Sequence, residues 1–402
     1  MTEPLVRDYL VLGLRLGRLV DGFVDSWFGD PALSRQVDDE PPADPATLAA
    51  TARSLRAELG SADLSPARRR FLDGQLGALA CAADRLAGTE VPFLEEIHRY
   101  FDVEIELTDT DVYAAIHDEI AALLPGSAPL PERVNAFQEH DRVPPGDLVR
   151  ATRAISDELR TRAHALYDLP DGESVEYEAV TDRPWNAFNR YHGGFRSSIA
   201  LNADVRHRMA ALPLLVTHEA YPGHHTEHSR KERLLVGEQG HAEQTIALVN
   251  TPQCLMAEGL AEAALPAVLG QGWGRWTQDL LADLGLVLDG ELSELMLNRT
   301  VLLMAARQDA AILLHDRGAS PDDVVAYLRR WMLVDEQRAS HAVRFLTDPL
   351  WRAYTTTYIE GSRRVRAWIG ARPEGQSVAD RYRRLLDEPM VPADLVEVGL
   401  VR

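Results

Sequence analysis

His218-Glu219-Ala220-Tyr221-Pro222-Gly223-His224-His225, HEAYPGHH, is the stretch on which the reading of this chain turns. A His-Glu pair followed by another histidine opens the ligand set of many zinc hydrolases. In the usual H-E-x-x-H form the two histidines lie one helical turn apart on one face. Here the next histidines come six and seven positions after His218, with Pro222 and Gly223 between. On an unbroken helix His218 and His225 would share a face but stand about 10.5 Å apart along the axis, at 1.5 Å per residue. His218 and His224 would point in roughly opposed directions. Neither pair could reach one ion, whose ligand bonds are about 2 Å long. A metal site therefore requires the helix to break or bulge. Pro222 removes an intrahelical hydrogen bond, and Gly223 permits the angles of a bulge. Looping out two residues brings His224 into place; looping out three brings His225. His224 needs the smaller distortion. The competing reading is a helix that ends at Tyr221-Pro222-Gly223, with two exposed histidines in the next turn.

A metal site also needs a third ligand. Zinc hydrolases of this type often take a glutamate from a following helix and leave the fourth position for water. The segment 252–270 contains MAEGLAEAA, in which Glu258 and Glu262 are four apart on one face of an otherwise apolar helix. A carboxylate among Leu255, Leu260 and Leu265 is costly to bury unless it is paired or holds a metal. The alternative is two solvated glutamates at a helix edge. Seven of the 13 histidines fall between His192 and His241, which focuses attention on the same region.

The rest of the chain bounds the answer. It has 402 residues, 46% hydrophobic and 26% charged, the composition of a soluble globular protein. Its net charge of −20 would repel a phosphate backbone, so nucleic acid is not an expected partner. Cys81 and Cys254 are too few for a disulfide framework or a Cys-rich zinc site, and read as buried free thiols. Arg7, Asp8, Arg15, Arg18 and Asp21 interrupt the opening segment, which therefore reads neither as a signal peptide nor as a membrane span. A cytoplasmic protein without a membrane partner is expected.

Periodicity predicts one mainly α-helical domain over 1–402. Apolar residues at Tyr9, Leu12, Leu16, Val20, Phe23 and Trp27 predict an amphipathic N-terminal helix. Ser65-Pro66 starts a helix that runs to Gly88, and further helices are predicted at about 93–101, 109–124 and 146–167. Residues 1–167 thus form an N-terminal helical region. A β insert over 168–203 follows the turn Asp168-Leu169-Pro170-Asp171-Gly172. Val175, Tyr177 and Ala179 alternate with Glu176 and Glu178, and FRSSIALN over 195–202 reads as a second strand. A small antiparallel sheet at 173–202 is expected to be the one strong β signal. Residues 204–402 read as helical again, punctuated by Pro252, Pro321 and Gly361.

These residues resemble the bacterial family of domain of unknown function 885, related to the zinc-peptidase clan. Its H-E-x-x-P-G-H-H hallmark is matched by His218, Glu219, Pro222, Gly223, His224 and His225. Its E-G-W-A is similar to Glu258-Gly259-Leu260-Ala261, with Leu260 in place of tryptophan, and Tyr358-Ile359-Glu360-Gly361 resembles its Y-x-x-G. The opening DYLVLGLRLGRLVDGFVDSWFG is similar to its N-terminal helix. In the family's R-x-x-x-D-x-x-x-H, Arg307 and His315 fit, but Ala311 stands at the aspartate position and Asp309 is on a different face. The P-G-Q that precedes Y-x-x-G is absent; Arg352, Ala353 and Tyr354 occupy that stretch.

The resemblance implies a multi-helical, zincin-like metallohydrolase, a peptidase first of all. One divalent metal, zinc, would be held by His218, His224 or His225, and Glu258, with His224 preferred. Glu219 would act as general base on a water and pass the proton to the leaving amine. Tyr358 is the first candidate to stabilise the developing oxyanion and His315 the second. A core tyrosine and a helix C-cap are the plain alternatives for these two. The strand at 195–202 would pair with an extended peptide substrate. Two other classes remain: a hydrolase of small non-peptide amides, and a helical binding protein with a vestigial metal site.

Overall fold

Prolines and acidic caps set where the N-terminal helices begin. A computed structural model, which describes residues 3–144, 146–183 and 185–398, shows a mainly helical chain. The first helix, Pro4–Leu19, buries Tyr9, Leu12 and Leu16, as the spacing predicts. It does not continue to Trp27. The chain turns at 20–23, with Gly22 at φ +80°, and then enters a strand. Phe23 is buried from within that turn, so the spacing of three and four runs on past the helix it describes. The helices Pro66–Leu86, Phe93–Phe101, Thr110–Leu123 and Leu148–Tyr167 fall within two residues of the expected bounds. Three further helices, Pro31–Asp39, Pro45–Glu58 and Leu130–His140, lie outside the expected set. Two of them carry a legible start. Asp30 and Asp44 each precede a proline and accept a hydrogen bond from an amide of the following turn.

The strands are β1 (Val24–Trp27), β2 (Ser174–Val180), β3 (Ala187–Tyr191), β4 (Arg196–Asn202) and β5 (Ile246–Leu248). The insert forms a three-stranded sheet in the order β2-β4-β3, and it is mixed rather than antiparallel. β3 and β4 form an antiparallel hairpin, and β4 lies between β3 and β2, parallel to β2. The alternation of Ser197, Ile199 and Leu201 toward the core fixes which face of β4 is buried. With both edges of β4 paired, it cannot add a substrate strand. Among the described residues the sheet's outer strands are β2 and β3, each with one unpaired edge, and β3 is the one that borders the cavity described below. A second sheet pairs β1 with β5, antiparallel and with a bulge between Val24 and Ser26, so the insert is not the one β element.

The helix Pro252–Val268 runs through the middle of the molecule. Leu255 joins the core built on the N-terminal helices, with Tyr9, Leu76 and Ile97. Met256, Leu260 and Ala264 join a second core around Val216, Tyr221, Trp368 and Tyr382. A helix packed on all sides can be approached closely only where side chains are missing. A Cβ on Gly259 would lie 2.5 Å from the Gly361 carbonyl carbon, and a Cβ on Gly361 would lie 2.5 Å from the Leu255 oxygen. The glycines of the E-G and Y-x-x-G stretches therefore cross backbone to backbone. This brings the π-helical turn Thr357–Gly361 against the glutamate-bearing helix. Among the described residues no helix is long and apolar enough to cross a membrane. Cys81 is a buried free thiol, whereas Cys254 is only partly buried.

Replacing Gly259 with alanine should overpack this crossing, costing ~1–3 kcal/mol and lowering the melting temperature by about 1–4 °C. Gly60→Ala, at a position with open space around it, should leave the melting temperature nearly unchanged in the same scan.

Candidate metal centre

The helix Leu212–Glu219 stops one residue after His218, and a second helix, His224–Lys231, starts at the next histidine. The break is complete rather than a bulge in one continuous helix. Ala220 donates the last α-helical bond to Val216, and the chain then leaves helical angles at φ −123°, ψ −83°. The Tyr221–Pro222 peptide is cis. Thr226 donates from both its amide and its hydroxyl to the Ala220 oxygen, and the Glu227 amide donates to Gly223. A Cβ at Gly223 would sit 2.0 Å from the His218 oxygen and 2.3 Å from the Thr217 oxygen, so the turn admits only glycine there.

The break places His224 Nε2 3.2 Å from His218 Nε2. Glu258, from the central helix, completes the group. Its Oε2 lies 3.3 Å from His218 Nε2, and its Oε1 lies 3.6 Å from His224 Nε2. The three ligand-type atoms lie within 4.8 Å of one another. Glu258 is buried, and Oε2 has no hydrogen-bond partner. Burial alone would raise its carboxyl, but His224, His218 and the Tyr354 hydroxyl hold it down at about 2. Burial opposes charge on His218, yet Glu258 and Glu262 raise its pKa well above the usual histidine range. The field of the group favours positive charge at this point.

His225 goes elsewhere. It is fully buried, with Nδ1 2.8 Å from the Ser197 hydroxyl and Nε2 2.8 Å from Glu173 Oε2. Glu173 also accepts from the Tyr221 hydroxyl, Arg160 and His164. Burial would raise the Glu173 carboxyl, but these four partners hold it well below the ordinary carboxylate range. The second histidine of the pair thus anchors the turn to the start of β2, while the first faces Glu258.

Glu219, the last residue of its helix, lines the same cavity of about 120 Å³ as His218, His224, Glu258 and Tyr358. Burial pushes its carboxyl above the ordinary glutamate range, against the pull of His218 and His224. Its carbonyl accepts a hydrogen bond from Asn189 Nδ2. Tyr358 is placed with its ring 6.2 Å from that of His218, and burial raises its phenol pKa while Arg307 draws it down. His315 does not join the group. Its Nε2 bonds the Leu346 carbonyl at 2.7 Å and its ring packs on Phe93, so it ties helices together away from the cavity. Asp309 does not stand in for the missing aspartate either: it accepts from the Tyr113 and Tyr327 hydroxyls and the Thr108 amide. Arg352 pairs with buried Glu96.

Three participants escape sequence reasoning, and a fourth, Glu262, is singled out there without this role. Glu262 Oε1 lies 3.4 Å from His218 Nδ1, the position from which a carboxylate orients a ligating histidine. The Tyr354 hydroxyl donates to Glu258 Oε1 at 2.7 Å. Asp25 and Asn189 reach the cavity from β1 and β3. Glu262 has a signal, its spacing of one turn from Glu258; the others become neighbours only through the fold.

No family model matches the chain, and no curated protein matches it. Two solved structures share its fold. A lipoprotein candidate from Colwellia psychrerythraea superposes with a TM-score of 0.52 at 13% identity, over 88% of this chain and 66% of that one. A lipoprotein candidate of unknown function from Shewanella oneidensis gives 0.55 at 12% identity, over 90% and 74%. This chain therefore spans just under two thirds of the first and about three quarters of the second.

The geometry separates the two adjacent histidines by experiment. A zinc ion held by the His218, His224 and Glu258 group should be lost in His224→Ala, read by elemental analysis of the purified protein. His225→Ala should keep it while losing ~1–3 kcal/mol of stability, because Glu173 is left short of a buried partner.

Proposed function

We propose that this protein is a metal-dependent hydrolase that cleaves peptide bonds. The observation that carries the reading is the convergence of His218, His224 and Glu258 on one point, with Glu219 lining the same cavity. The residues fit a divalent ion on their own chemistry. Two imidazole nitrogens approach within 3.2 Å, beside a buried carboxylate oxygen that lacks a hydrogen-bond partner. Two nitrogens and one carboxylate are the donor set that zinc takes in hydrolases. A bound ion would supply Lewis acidity, lowering the pKa of a water and polarising a carbonyl.

The chain's own residues supply the rest. Glu219 takes the proton of the attacking water on its carboxylate and returns it to the leaving amine. Its raised pKa suits a group that must hold that proton between the two steps. Glu262 holds His218 by Nδ1, and Tyr354 holds Glu258 by Oε1, so both side chains are oriented from behind. Tyr358 presents a phenol kept protonated by burial, suited to donate to the developing oxyanion. The free edge of β3, whose Ala187, Phe188 and Asn189 line the cavity, offers backbone groups to an extended substrate, the part first assigned to the strand at 195–202.

Two substitutions separate binding from chemistry. Glu219→Gln keeps the shape but cannot accept the proton. It should retain stoichiometric zinc and lose about 10²–10⁴-fold in turnover of a peptide library. Glu258→Gln should lose the metal as well. A Glu219→Gln protein that cleaves at the parent rate would remove Glu219 from the mechanism, and a parent protein that binds no divalent ion would overturn the reading.

A further inference from the structure

The helix His224–Lys231 carries more than a ligand into the cavity. His224, Glu227, His228 and Lys231 follow the spacing i, i+3, i+4, i+7, and all four line it. His228 stacks on Tyr191, and burial lowers its pKa to about 4, so it adds no positive charge near neutral pH. Glu227 and Lys231, 4% and 8% exposed, form an ion pair of 2.5 Å through Oε1, which leaves Glu227 Oε2 without a hydrogen-bond partner. Gln244, 4% exposed, stands in the same cavity wall with neither amide atom partnered. Asn189 donates one N–H of its amide to the Glu219 carbonyl, and its Oδ1 is unpartnered too. Asp25, on β1, exposes its carboxylate to the cavity.

Buried polar atoms without partners are rare in folded proteins, and here several belong to residues that line one cavity. Among the described residues, and apart from the metal-ligand candidate Glu258, the unmatched atoms in the cavity wall are three acceptors and one donor. The acceptors are Glu227 Oε2, Gln244 Oε1 and Asn189 Oδ1; the donor is Gln244 Nε2. The charges lean the same way. Carboxyl groups from Asp25, Glu219, Glu227 and Glu258 share the cavity with a single lysine that is already paired. The group that complements such a wall is a primary ammonium, which has three donors, no acceptor and one positive charge.

We propose that Glu227, Gln244 and Asn189, with Asp25, form a subsite for a primary ammonium group of the substrate. A peptide carries that group at its amino terminus or on a lysine side chain. Held at the amino terminus beside His218, His224 and Glu258, it would direct cleavage to the first bonds of a chain. That consequence rests on the hydrolase reading, whereas ammonium binding can be measured without turnover.

The test is calorimetry on the full-length Glu219→Gln protein, with and without zinc, using three tripeptide amides: trialanine with a free amino terminus, its N-acetyl form, and N-acetyl-Lys-Ala-Ala. The free amine should bind at least about tenfold more tightly than the acetylated peptide, the worth of one charge-assisted contact. Adding Glu227→Gln should cut that preference to within about threefold. Asp25→Asn, at an exposed carboxylate, gives the same readout should the Glu227 variant not fold. Affinity recovered by the acetyl-lysine peptide would keep the ammonium site and assign it to a side chain. Equal binding of the free and acetylated trialanine, without recovery by lysine, would overturn the proposal, as would no binding by any of the three. A clear ammonium preference in a parent protein that leaves all three peptides intact would instead overturn the hydrolase reading and leave the subsite standing.

Discussion

Between the carbonyl oxygens of Thr217 and His218 there is no room for a Cβ at position 223. That contact lets the helix carrying His218 end and a new one begin within four residues. His224 then faces back across the gap toward His218. The distance between the two histidines follows from the backbone, as does the opposite orientation of His225, which is spent on Glu173 and Ser197. The turn is pinned from outside as well. Tyr221 is fully buried and donates to Glu173, while Tyr382, from a helix near the end of the chain, donates to the Pro222 oxygen. A buried carboxylate with four hydrogen-bonded partners is costly to disturb, so the turn has little freedom to relax.

A second close approach works with the first. Gly259 and Gly361 meet backbone to backbone next to Glu258 and a few residues from Tyr358. One crossing therefore sets the position of the third ligand-type residue and of the tyrosines above it. Tyr354 and Tyr358 pack edge to face at 5.5 Å, and one of them holds Glu258 while the other faces His218. The glycine crossing and the packed rings thus help to position the polar group.

Legibility in the sequence follows the range of the interaction. Helices that begin at Ser65-Pro66 or bury a regular stripe show themselves locally, and the ligand types and their spacing are local too. The N-terminal stripe misleads because a turn and a strand keep Phe23 buried in the same rhythm. The mixed sheet is not legible, since β2 and β4 become parallel neighbours only because β3 folds back first. His315 shares a spacing with Arg307, yet only Arg307 reaches the neighbourhood of Tyr358. Glu173 and Asp25 look like ordinary surface acids until Tyr221 and His225, for the first, and a cavity wall drawn from distant segments, for the second, give them their places.

The cavity draws its walls from residue 25 through residue 358, so a fragment that contains it must span most of the chain. A chain emerging from the ribosome presents the histidines and Glu258 well before Tyr354 and Tyr358 close over them, and Tyr382, which braces the Pro222 turn, comes later still. Enclosure of this cavity therefore waits for the residues from Tyr354 to Tyr382. A chain cut before Tyr354 would leave His218, His224 and Glu258 without the tyrosines that enclose them in the fold.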